Sequence, residues 1–172
     1  MESAIEMKPL TATQDDFMAA NTTIRIQEAD FDIAREIAAL TQGRNDIGAV
    51  VSFSGICRSN EGGESIAALT LEHYPGMAEA EIARHTETAM SRWPLTGLTV
   101  IHRVGHITPG ENIVLVLTAS QHRQAAFQAA EFLMDYLKVS APFWKREEKP
   151  TGSSWIDARH HDNAMAARWT RS

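Results

Sequence analysis

Only one cysteine, Cys57, occurs in the 172-residue chain, which excludes an intrachain disulfide framework and any cysteine-based zinc site. Such cysteine usage fits a reducing compartment. Nowhere do about 18 apolar residues follow one another, as a membrane-crossing helix requires. The first residues, MESAIEMKPL, lack the basic start and apolar run of a secretory leader, so a cytoplasmic protein is expected. Positive charge is also in short supply: 16 Lys+Arg face 22 Asp+Glu, a net charge of -6. That balance argues against nucleic acid as a partner and leaves only local basic patches, for which a small anionic ligand suffices. No Ser-His-Asp elbow, Walker loop or GxGxxG pattern appears, so hydrolase and nucleotide-binding chemistry lack support. His102 and His106 would stand about 13 Å apart on a strand, and His160 and His161 are adjacent; no metal site is expected.

What is present suits one domain: 44% hydrophobic and 22% charged residues, enough for a real core. Residues 1–21 show no sustained periodicity and read as a variable N-terminal extension, with a single domain over 22–172. Thr22–Gln27 alternates like a strand. Asp30 is the expected cap of a helix carrying Ile33, Ile37 and Leu40 at helical spacing and ending at Gly43. The apolar run IGAVVSFSG, Ile47 to Gly55, predicts a buried central strand running into the glycine-rich loop CRSNEGGES. Arg58 stands where that strand gives way to the loop, a common location for binding residues, although as a lone arginine it reads first as a surface residue. Strands are expected at Ile66–Tyr74, Gly97–His106 and Asn112–Ala119, the last two joined by a Thr-Pro-Gly-Glu turn, and a helix over Met77–Arg92. The fold class is therefore α+β, a mixed, largely antiparallel sheet with hairpins packed against two or three helices.

A long helix is expected over Gln121–Val139 with Ser120 as its cap. Its first turn carries His122 and Arg123, although that end of a helix favours negative charge. Either both side chains are solvated or they join the free N–H groups around a bound phosphate. Arg123, Phe127, Ala130, Met134 and Lys138 fall in one stripe, Phe127 and Met134 reading as core. The helix then gives way to MDYLKVSAPFWKRE, Met134 to Glu147. Pro142 breaks it between Lys138 and Phe143, and in the strand that follows Phe143, Lys145 and Glu147 share one face while Trp144 and Arg146 share the other. Two lysines and an arginine near one chain reversal suit a solvated strand edge or a site for an anion. Arg123 and Lys138 are about 22 Å apart along a straight helix. A ligand needing both would draw them from two copies of the chain, which predicts a homodimer. After a turn at Lys149–Gly152, SSWIDA predicts a last strand, and Arg159–Trp169 a short helix. Cys57 beside Arg58 reads as a small hydrophobe at a strand end rather than an activated thiol.

The motifs TLEHYPGM, RWPL followed by VIHRVG, SQHRQAAF and MDYLKVSAPFWKRE, in this order between Thr70 and Glu147, closely resemble the large, catalytic subunit of molybdopterin synthase, the MoaE family. The resemblance implies an α/β hammerhead-like fold and a sulfurtransferase of molybdenum-cofactor biosynthesis acting on cyclic pyranopterin monophosphate. It implies a partner, a small ubiquitin-like sulfur carrier with a thiocarboxylated Gly-Gly C-terminus. It also implies a heterotetramer built on a dimer of large subunits. Lys138 and Lys145 fall on the family's essential lysines. Arg58, His122 and Arg123 fall on its substrate-binding residues, and Ile56, Cys57, Arg146 and Glu147 occupy binding positions too. Ile56 stands where some relatives carry lysine and would offer only its backbone. No metal or cofactor is implied, because the sulfur arrives activated as a thioacid.

Overall fold

The computed structural model describes residues 22–156 and 165–170. Two nine-residue strands form its centre: β6 (Leu95–Arg103) and β8 (Asn112–Ser120) lie side by side, antiparallel and buried along almost their whole length. They can be buried on both faces because helices cover both. α2 (Met77–Arg92) and α3 (Arg123–Val139) sit over Leu98, Val100, Val114 and Val116, while α1 (Ile33–Thr41) sits over Ile101, Leu115 and Leu117. α3 approaches closely because it presents Ala125, Ala126, Ala129 and Ala130, and Thr118 donates its hydroxyl hydrogen to the Ala126 carbonyl at 2.7 Å. β1 (Thr22–Gln27) joins β6 in parallel and β2 (Ala49–Ile56) joins β8, giving the order β1-β6-β8-β2.

A second sheet, antiparallel throughout, has the order β10-β9-β5-β7, from Gly152–Ile156, Phe143–Lys149, Ala68–His73 and Gly105–Ile107. Between β2 and β5 a ribbon of β3 (Asn60–Glu61) and β4 (Glu64–Ser65) turns through Gly62 and Gly63. Gly105 is the pivot between the sheets. Its φ of +82° lets the chain leaving β6 turn away and add β7 to the second sheet before Thr108–Glu111 returns it to β8. Cys57, Ile66, Leu69, Leu71 and Ile107 form a separate small core under this sheet.

The α+β class and its antiparallel pairing stand, and the N-terminal strand and the Met77–Arg92 helix occupy their expected residues. Three local expectations are corrected. The run from Ile47 forms an outer strand, not a central one, with Phe53 40% and Ile56 53% exposed. Apolar content alone does not rank strands within a sheet, and the longer β6 and β8 take the covered positions. α1 is capped by Asp32, which accepts from the N–H groups of Ala34 and Arg35 at 2.9 and 3.2 Å. Asp30 instead accepts from Asn112 Nδ2 at 2.9 Å. Ser120 ends β8 rather than capping α3, whose cap position is His122. Its hydroxyl donates to the Pro94 carbonyl at 2.8 Å. The N-terminal extension lies outside the described residues, as does most of the expected helix at Arg159–Trp169, of which residues 165–167 are helical and Arg168–Thr170 form a 3-10 turn.

Candidate active site

α3 ends at Val139, where the Ser140 N–H still reaches the Tyr136 carbonyl at 2.7 Å, and Pro142 offers no N–H to continue it. A tight turn, Phe143 N–H to Ala141 carbonyl at 2.8 Å, then starts β9. Lys138 is thus exposed in the last helical turn, and Lys145 lies on the strand just beyond the reversal. Side chains opposite one another in an antiparallel ladder share a face, so the pairs Lys145–Leu71 and Glu147–Leu69 turn both charged groups toward the small core that holds Cys57.

Glu147 is only 1% exposed, and a carboxylate so placed is costly without cations. Two supply the compensation: Lys145 Nζ stands 3.4 Å from Oε1 and Lys149 Nζ 3.7 Å from Oε2. Lys149 is in turn hydrogen-bonded to Glu64 of β4, which raises its pKa and lowers that of Glu64. Among the described residues Oε1 of Glu147 accepts no hydrogen bond, since the Lys145 contact is an ion pair without hydrogen-bond alignment. One desolvated carboxylate oxygen, next to a lysine, remains able to accept from a ligand. Burial pushes the Cys57 thiol up against the opposing pull of Lys145, with Glu111 and Glu147 adding to the rise. It is a buried thiol packed among apolar side chains, the place of a small hydrophobe at a strand end.

Cys57 also fixes the end of β2: its N–H donates to the Glu111 carbonyl at 2.9 Å, and its carbonyl accepts from Gly110 at 2.8 Å. Ile56 is exposed before it, and Arg58 after it reaches back to Glu61 of β3 in an exposed ion pair, beside a shallow hollow formed with Ser59, Asn60, Pro109 and Gly110. Arg146 occupies the other face of β9. Its guanidinium lies 5.7 Å from the Trp155 ring centre and 3.7 Å from Glu148, and its buried Nε has no partner among the described residues.

His122 and Arg123 stand exposed at the opposite end of α3, lining a second shallow hollow with Gln124, Phe127 and Gln128. Nothing acidic occupies that first turn. Phe127, expected in the core, is 62% exposed, because the buried stripe runs through Ala126, Ala129, Leu133 and Leu137 and leaves it to one side; Met134 is partly buried against the core. One chain therefore gathers Lys145, Glu147 and Cys57 at one place, and keeps His122 and Arg123 about 22 Å from Lys138 along the helix. Lys149 is the member of the cluster that sequence reasoning missed; its signal was the continued alternation Phe143, Lys145, Glu147, Lys149. Among the described residues no three His, Cys, Asp or Glu side chains group as a metal set.

The sequence pattern of the MoaE protein family matches residues 26–140. The chain belongs to the MoaE family. It is 64% identical over 152 residues to the molybdopterin synthase catalytic subunit of Mesorhizobium japonicum, covering 87% of this chain and 94% of that one. The solved MoaE structure from Burkholderia ambifaria superposes with a TM-score of 0.75 at 46% identity, covering 88% of this chain and 99% of that one. A Helicobacter pylori complex of subunits 1 and 2 of molybdopterin-converting factor shares the fold, with a TM-score of 0.63 at 21% identity over 81% of this chain and 92% of that one. Curated MoaE relatives bear the name of a catalytic subunit of molybdopterin synthase, and this MoaE-family chain is accordingly an enzyme of molybdenum-cofactor biosynthesis.

Proposed function

We propose that the protein transfers sulfur from the thiocarboxylated Gly-Gly terminus of a small ubiquitin-like subunit to cyclic pyranopterin monophosphate, forming the dithiolene of molybdopterin. The observation that carries this assignment is the Lys145–Glu147 pair, a cation held at 3.4 Å from a carboxylate that is itself removed from water. Lys145, with Lys138 across the Pro142 reversal, stabilises the anionic tail and, once its sulfur has bonded to the pterin as a thioester, the oxyanion formed when water attacks that carbonyl, a step that leaves the sulfur on the pterin and a carboxylate on the tail. The Glu147 oxygen that accepts no hydrogen bond within the described residues receives an N–H or hydroxyl of the pterin.

His122 and Arg123, at a helix end with free N–H groups and no acidic residue, hold the substrate phosphate, and Arg58 adds a second cation. Ile56 and Cys57 shape the wall beside it, and Arg146 braces β9 from behind. The separation along α3 supports a homodimer in which the phosphate grip of one copy completes the lysine site of the other. Phe127, next to His122, and Phe53 and Ile56 on the outer strand are the apolar surface that a second copy covers. Two small subunits on this dimer make the heterotetramer. Its place is the cytoplasm, where the lone thiol stays reduced. No described helix is long and apolar enough to cross a membrane.

The test is to mix the protein with thiocarboxylated small subunit and cyclic pyranopterin monophosphate and to measure molybdopterin. Lys138→Ala and Lys145→Ala are each expected to lower the rate by at least about 100-fold, the scale of losing one preorganised charge at a developing oxyanion. Full activity in both variants refutes the lysine roles. Tight binding of the small subunit with no product from the wild-type chain identifies a binding module instead.

A further inference from the structure

The VIHRVG motif contains a buried titratable group that the proposed chemistry leaves idle. His102 is on β6, 8% exposed, on the same face as Leu98 and Val100. Its Nδ1 lies 2.8 Å from the Arg103 carbonyl oxygen. A carbonyl only accepts, so Nδ1 carries the proton and the ring plane is fixed by that bond. Burial pushes its pKa down to about 4, outweighing the Arg103 carbonyl, with His73 adding to the fall, so the ring is neutral.

That ring stacks on Phe143, with centroids 3.9 Å apart and planes 12° from parallel. Phe143 also meets His73, its register partner on β5, at 6.2 Å, and His73 Nε2 lies 3.7 Å from Glu79 at the start of α2. Phe143 is the first residue of β9, directly after Pro142, five positions from Lys138 and two from Lys145. Across the reversal the Ser140 N–H reaches the Tyr136 carbonyl and the Phe143 N–H the Ala141 carbonyl, and Ala141 and Phe143 both pack against the core of the first sheet. The stack is the ring contact that ties this reversal to β6.

We propose that His102 is a positioning residue for sulfur transfer: stacked on Phe143 and locked to Arg103, it fixes the reversal whose two ends carry Lys138 and Lys145. The inference rests on the sulfurtransferase reading for its consequence and on the stack alone for its geometry. An ångström-scale displacement between reacting groups costs up to about 100-fold in rate, so a loosened reversal acts on turnover rather than on phosphate binding at the far end of α3.

The experiment compares His102→Leu with His102→Phe, the second keeping a flat ring against Phe143. In His102→Leu kcat is expected to fall by about tenfold, with KM for the pterin within about twofold of wild type, and His102→Phe to recover most of the loss. Amide hydrogen exchange in residues 141–145 is expected to rise by at least about fivefold in His102→Leu and to stay unchanged in the first turn of α3. Unchanged kcat and exchange overturn the proposal, and so does an equal rise in exchange along the whole chain, which marks a purely structural role. Should His102→Leu not fold, Phe143→Leu removes the stack from the other side and is read by the same two measurements. If the wild-type chain makes no molybdopterin, the sulfurtransferase reading fails, while the exchange data still decide whether the stack holds the reversal.

Discussion

Glu147 concentrates the electrostatics of the site in one side chain. Replacing it by Gln keeps the shape but leaves Lys145 and Lys149 facing each other without the charge between them. Because both lysines retain some access to water, the expected loss is about 1–3 kcal/mol, below the cost of orphaning a fully enclosed ion, and is measured by urea unfolding. His102 yields a second residue-scale expectation. Its pKa lies below the unfolded value of 6.5, at about 4, so its stabilising contribution is complete above pH 6.5, shrinks as pH falls and is gone by pH 4. Relative to His102→Asn, the wild-type chain should lose about 3 kcal/mol of unfolding free energy between pH 7 and pH 4. A flat difference across that range refutes the shift. At this scale the sequence revealed the alternation of β9, because a period of two is strict, but not the burial of Glu147. That burial comes from Leu69 and Leu71 on a strand more than seventy residues away. Asp30 was likewise the expected cap, but its contact with Asn112, far along the chain, holds it elsewhere and leaves the cap to Asp32.

α3 and β9 act together as a helix, a rigid stop and a strand, and the entry to α3 is fixed as firmly as its exit. Gly48, just before β2, lies so close to the α3 entrance that an added Cβ would sit 2.2 Å from the Gln121 carbonyl oxygen. Gly48→Ala must push the chain next to His122 aside. It should destabilise the protein by about 1–3 kcal/mol and raise KM for the phosphorylated substrate more than it lowers kcat, as steady-state kinetics would record. Unchanged KM would separate this contact from the proposed phosphate grip. The helices were the most legible elements: α2 carries its apolar positions at regular spacing between Pro75-Gly76 and Pro94, which settles both ends. Strand rank was not legible. IGAVVSFSG and NIVLVLTA are similar in composition, and only the pairing of β8 with β6 on one side and β2 on the other places one inside and the other at the rim.

For the molecule as a whole, the decisive question is how many copies build one site. If His122 and Arg123 of one chain serve the lysines of another, two inactive variants complement each other. Equal amounts of Arg123→Ala and Lys145→Ala, unfolded and refolded together, should regain about a quarter of wild-type molybdopterin formation, because half of the dimers are mixed and each mixed dimer keeps one intact site. No recovery, from a mixture shown to contain mixed dimers, refutes the shared site. If the proposed dimer forms through the outer strand, Phe53→Asp should shift the protein to monomer in sedimentation, since a charge on an outer strand discourages edge pairing. The division into two sheets was invisible in the sequence for a simple reason. Gly97–His106 reads as one strand, and only the positive φ of Gly105 splits it.

That split has a mechanical consequence. If the proposed carrier tail lies beside β9, drawing it out tugs on a ladder of hydrogen bonds leading through β5 to β7, and the polypeptide itself then hands the force to β6, wedged between β1 and β8 under the helices. On that reading a spent carrier is peeled away over and over, while the anchorage keeps its shape for the next delivery.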